Sequence, residues 1–99
     1  MALEPHDIKK LFEKHSDEFL VFGEVANKTS RRADMHAFNL IEKLVPGDRD
    51  MISSAEHDEI WLSVDPVELA NVATEDQIVE LIRCGVRYDF DTDSFAMFV

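Results

Sequence analysis

Apolar residues near the start of the chain recur with helical spacing. Ile8, Leu11, Phe12 and His15 follow Pro5-His6-Asp7 at i, i+3, i+4 and i+7. Lys9, Lys10 and Lys14 fall outside that stripe, which predicts an amphipathic helix over about 5–15. The run Phe19-Leu20-Val21-Phe22 fits either a buried strand or a second short helix capped by Ser16-Asp17-Glu18. The continuing 8, 12, 15, 19, 22 spacing favours helix over 19–25, with Gly23 as its end, but a run this short leaves both open. Asn27-Lys28-Thr29-Ser30-Arg31-Arg32 reads as a polar loop. A further helix follows over 33–44, with Met35, Phe38, Ile41 and Leu44 on one face, Ser30 or Asp34 as cap and Val45-Pro46-Gly47-Asp48 as stop.

The pattern then shortens to a period of two. Met51 and Ile52 start a short strand, with 53–58 expected as loop or turn. In 59–64, Ile60, Leu62 and Val64 alternate with Glu59, Trp61 and Ser63. Asp65-Pro66-Val67-Glu68 is a helix start, with Asp at the cap and Pro at the first helical position, and that helix runs to about Val72. Thr74-Glu75-Asp76-Gln77 forms a second capping box ahead of Ile78, Leu81 and Ile82. Gly85 is placed to end that helix in a left-handed turn. Val86, Tyr88 and Phe90, then Phe95, Met97 and Val99, alternate around the turn residues Asp91-Thr92-Asp93, as a hairpin does.

These elements predict a single α+β domain over 1–99. N-terminal helices cover a small antiparallel sheet of three or four strands that closes on the C-terminal hairpin. One sheet face gathers the apolar alternates and takes the helices. The other carries Glu59, Trp61, Arg87, Asp89 and Phe98, two aromatics amid charge, which is the anatomy of an interface anchor.

Charge changes the picture most. The formal net charge is −11, and it is lopsided. Residues 1–49 hold nine acidic and eight basic side chains (net −1), while residues 50–99 hold twelve acidic ones against Arg83 and Arg87 (net −10). Such a field disfavours direct binding to nucleic acid or to an anionic membrane, and favours a basic protein surface, including one that normally holds DNA or RNA. Glu68, Glu75 and Asp76 also serve helix N-termini. The single cysteine, Cys84, permits no internal disulfide. The opening MALEPHD has no secretory pattern, and no apolar run reaches membrane-span length, so a cytoplasmic location is expected.

Few residues point to chemistry. Glu56-His57-Asp58-Glu59 has polar neighbours that alternate in direction along a strand, so no metal or acid–base set converges there. Asp89, Asp91 and Asp93 start like a calcium loop but lack its glycine and terminal Glu. Cys84 falls at a helix C-terminus, where the dipole opposes a thiolate. Lys28, Arg31 and Arg32 make a weak anion site. No catalytic residue, cofactor or metal is assigned. The expected interaction residues are Asp58, Glu59, Trp61, Arg87, Asp89, Asp91 and Phe98.

The blocks Ala37-Phe38 with Leu44-Val45-Pro46-Gly47, Ala55-Glu56-His57-Asp58-Glu59-Ile60-Trp61-Leu62, and Cys84-Gly85-Val86-Arg87-Tyr88-Asp89 with Ala96-Met97-Phe98-Val99 resemble small acidic uncharacterised proteins of tailed bacteriophages. The resemblance spans about two thirds of the chain and brings no activity or site residues. It implies an accessory protein acting in the cytoplasm of an infected bacterium, with inhibition of host defence as an analogy. The expected function is non-enzymatic: occlusion of a basic, nucleic-acid-binding host protein, as a DNA mimic or host-defence inhibitor. A homo-oligomeric assembly protein is the first alternative, and a small enzyme centred on His57 the second.

Overall fold

The computed structural model describes residues 7–48 and 50–98. Helix α1 covers Asp7–Lys14, α2 Ala33–Leu44, α3 Pro66–Val72 and α4 Glu75–Arg83. The strands are β1 Ile52–Glu56, β2 Glu59–Leu62, β3 Arg87–Asp89 and β4 Ser94–Phe98. All pairings are antiparallel, and the strand order is β1-β2-β4-β3. The protein is therefore α+β, and the fourth strand is real. Pro5 and Val99, which the sequence pattern placed in the first helix and the hairpin, lie outside the described residues.

The C-terminal half forms as its local chemistry dictates. Asp65 accepts the Val67 N–H at 2.9 Å, with Pro66 at the first helical position. Thr74 and Gln77 make both bonds of a capping box. At the far end of α4, Gly85 N–H donates to the Ile82 carbonyl and Val86 N–H to the Leu81 carbonyl, at 2.9 and 3.1 Å. Gly85 has φ +99°, and this is the paired-bond glycine stop that turns the chain into β3. A Cβ on Gly85 would also sit 2.6 Å from Leu20 Cδ2.

The same junction holds the largest departure from the pattern. Residues 19–25 form neither a continuous α-helix nor a strand. Two 3₁₀ turns, Ser16–Glu18 and Phe22–Glu24, flank Leu20, which is left-handed at φ 63°. The Leu20 N–H donates to the Ile82 carbonyl at 3.1 Å. The segment lies across the end of α4, where the Ile82 carbonyl takes the Leu20 N–H as a second donor beside that of Gly85, and this packing overrides the segment's own helical spacing. Beside it, Arg83 Nε holds Glu18 at 2.6 Å.

Helices α1–α4 pack on one face of the sheet. Phe12 of α1 meets Phe95 and Tyr88 at ring distances of 5.4 and 6.2 Å. Ile41, Leu69, Ile78, Leu81 and Ile82 are buried against the same layer as Ile60, Leu62, Phe95 and Met97. Three expectations need correction. Met35 is exposed, and α2 turns His36, Ala37 and Ile41 inward instead. Phe90 sits on the hairpin turn at 53% exposure rather than in the sheet's apolar row. Residues 53–56, expected as loop, belong to β1, whose five residues are all exposed and which bulges between Ile52 and Ser54.

Candidate functional site

The face of the sheet turned away from the helices is organised around Ala96. Trp61 of β2 and Arg87 of β3 stand directly opposite Ala96 on either side. Each side chain crosses β4 on a diagonal. The Trp61 indole N–H donates to Asp89 Oδ2 on β3 at 2.8 Å. Arg87 reaches back to β2, ion-pairing with Glu59 and placing its guanidinium 4.8 Å from the centre of the Phe98 ring. Ala96 has no exposed surface although it stands outside the main core, because these two straps lie over it. A larger residue there would hold both away from the sheet.

Five of the seven expected interaction residues therefore meet on one face: Glu59, Trp61, Arg87, Asp89 and Phe98. Trp61 is half-buried, and Phe98 is 57% exposed. Asp58 and Asp91 do not join each other. Glu59 pairs with Phe98 at the end of β4, whereas Asp89 pairs with Ser94 at its start. The turn holding Asp58 and the turn holding Asp91 thus lie at opposite ends of the sheet. Next to Trp61, Ser53, Ser54, Glu56, Thr92 and Ser94 line a shallow concavity of about 380 Å³.

The sequence also misrepresents how free the carboxylates are. Lysines of α1 reach the acidic half: Lys9 pairs with Asp93 at 3.1 Å, and Lys14 with Glu75 at 3.1 Å. His15 Nε2 lies 2.8 Å from the same Glu75 oxygen. These bonds hold Glu75 below the usual carboxylate range, His15 contributing most, and Lys9 with Tyr88 does the same for Asp93. The Trp61 indole, followed by the Asp91 amide, lowers Asp89. Burial, with Asp93 at its hydroxyl, pushes Tyr88 up to about 12. The exposed carboxylates of the acidic half outside these bonds include Asp50, Glu56, Asp58, Glu68, Asp76 and Asp91.

The side-chain network that sequence reasoning missed is built on His36. Its ring is 2% exposed, Nδ1 accepts the Thr29 N–H at 3.0 Å, and Nε2 lies 2.5 Å from Glu80 Oε2. With Nδ1 accepting, the proton is on Nε2 and points at Glu80. Thr29 Oγ1 is 3.2 Å from the same Nδ1. A hydroxyl, an imidazole and a carboxylate in line have the form of an activated nucleophile. Here the backbone N–H already occupies the lone pair that a general base would use, so the arrangement anchors loop 27–32 to α2 and α4. The only advance signal was Ala37: placing this small residue inward brings His36 with it.

Elsewhere the chemistry is sparse. His57 sits exposed on the β1–β2 turn with φ 50°, and Glu56 and Glu59 beside it form a cross-strand pair on the open face. Cys84 is buried, and burial, reinforced by Glu80, pushes its thiol up to about 12. Among the described residues no group of three or more His, Cys, Asp or Glu is placed to hold a metal ion, and no helix is long and apolar enough to cross a membrane. No family model, no curated protein and no solved structure matches the chain.

Proposed function

We propose that this is a non-enzymatic binding protein that lays the open face of its sheet on a basic surface of another protein. The observation that carries the reading is Phe98, more than half exposed on the same sheet face as a half-buried Trp61 whose indole is fixed by its hydrogen bond to Asp89. Aromatic side chains carried on a paired strand lose little entropy on binding, and the surrounding carboxylates favour cationic partners. In the setting implied by the phage resemblance, the partner is a host protein that handles nucleic acid, and binding occludes its basic surface.

The test is association of the purified protein with candidate host nucleic-acid-binding proteins at increasing salt. Affinity should fall as salt rises, and Phe98→Asp should abolish binding while leaving the melting temperature unchanged. Binding that ignores both salt and Phe98→Asp overturns the reading. A second reading, a homo-oligomeric assembly component, draws support from β1, a five-residue sheet edge exposed along its whole length. Light scattering that finds only monomer at high concentration removes it.

A further inference from the structure

The sheet has a second free edge at β3, and it differs from the β1 edge in having an apolar groove beside it. The groove holds about 400 Å³ between β3 on one side and α1 with the Ser16–Glu18 turn on the other. Phe12, Phe19, Ile82, Val86 and Tyr88 form its floor and walls. Phe90 and Phe98, exposed by 53% and 57%, stand at its mouth. A helix facing an edge strand across an apolar trough is the geometry in which an extended segment adds to a sheet. The strand's outward N–H and C=O groups bind the backbone, and the trough takes alternate side chains.

Charge decides what that segment is. Glu13 lines the groove, and Asp17 and Asp91, next in the chain to the lining residues Ser16 and Phe90, are exposed. Three of the nearby cations are already held, Arg87 by Glu59, Lys9 by Asp93 and Arg83 by Glu18, which leaves Lys10 on the exposed side of α1. A second copy of this chain would bring another net −11 to the same place. An apolar small molecule would leave the strand's edge groups without partners. We infer that the groove takes an extended, basic segment of a partner protein, paired as an added strand on β3 with an apolar side chain in the trough. This deepens the reading above, since Arg87 and Phe98 belong both to the groove and to the open face.

The probe is a fluorescein-labelled peptide, KKTVFVTKK, followed by anisotropy against the whole protein at about physiological ionic strength. It is compared with the same peptide N-methylated at alternate residues, in both phases, and with KKGSGSGKK. Saturable binding of the first is expected, weakened at least about tenfold by N-methylation in one phase, and at least about tenfold by Phe90→Ser in the protein. Amide shifts should centre on residues 87–89. No saturable binding, equal binding of KKGSGSGKK, or indifference to N-methylation in both phases overturns the inference. If any of these occurs while Phe98→Asp still abolishes partner association, the open-face reading stands and only the added strand falls.

Discussion

Strand β4 shows the two sides of this molecule on alternate residues. Phe95 and Met97 face the helices, and Ala96 and Phe98 face away. Phe95 and Ala96 are equally buried, but for different reasons. Phe95 is enclosed by other apolar groups, with the Phe12 and Tyr88 rings at 5.4 and 5.8 Å. Ala96 is roofed by two long side chains whose far ends are fixed by an indole hydrogen bond and an ion pair. Hydrophobic mass closes one side. Polar-ended straps close the other, and straps can be lifted without opening the core. The side that holds the fold together and the side available for binding should therefore be separable by mutation.

The largest effect expected is at Phe95. Phe95→Ala should cost about 3–5 kcal/mol by urea or thermal unfolding, from lost burial plus a cavity. Phe98→Ala, three residues along and on the exposed side, should stay within about 0.5 kcal/mol. Similar costs for the two would erase the distinction between the faces. Ala96→Leu is intermediate. It should lift both straps at about 1–3 kcal/mol, with Trp61 fluorescence moving to the red as the indole meets water. An unshifted spectrum would mean that Trp61 does not lie over Ala96.

The smallest effect is the acid response of the partnered carboxylates, one of which anchors the Trp61 strap. Asp89, Asp93, Glu75 and Glu18 are all held below their ordinary carboxylate values by partners formed only on folding. The unfolded chain therefore binds more protons than the native one in acid. Their stabilisation is complete at neutral pH and is lost as pH falls through and below about 4. Melting temperature measured from neutral to acid pH should fall across that window. Asp89→Asn should flatten part of the fall, and an identical profile in that variant would show that the indole bond is not formed in solution.

What the sequence discloses follows from how local each cause is. The α3 and α4 starts, the Gly85 stop and the hairpin alternation of Val86 and Tyr88 with Phe95 and Met97 depend on residues within a few positions of one another, and these appear where the pattern places them. Leu20 could not be read this way. Its left-handed turn answers to a carbonyl on α4, more than sixty positions along the chain. The inward face of α2 was misjudged because Met35 looks more apolar than His36. A histidine is buried here only because Thr29 and Glu80 satisfy both of its nitrogens. The open face was legible in its membership, since alternation sorts Trp61, Arg87, Asp89 and Phe98 together. Its diagonals were not, because they depend on cross-strand register, which no single strand encodes. The lopsided charge was legible as a sum, but the pairing of α1 lysines with distant carboxylates was not.

The burial of Cys84 gives the protein a reporter of its own breathing. A thiol on a residue 1% exposed, and with ionisation pushed to about 12, offers an alkylating reagent little to attack in the native state. Alkylation must wait until the junction of α4 with β3 comes apart. Since the chain has one cysteine, a single labelling trace counts those openings without any engineered probe. The junction is also where Leu20 lies against Gly85, so the rate measures how long the end of α4 stays closed.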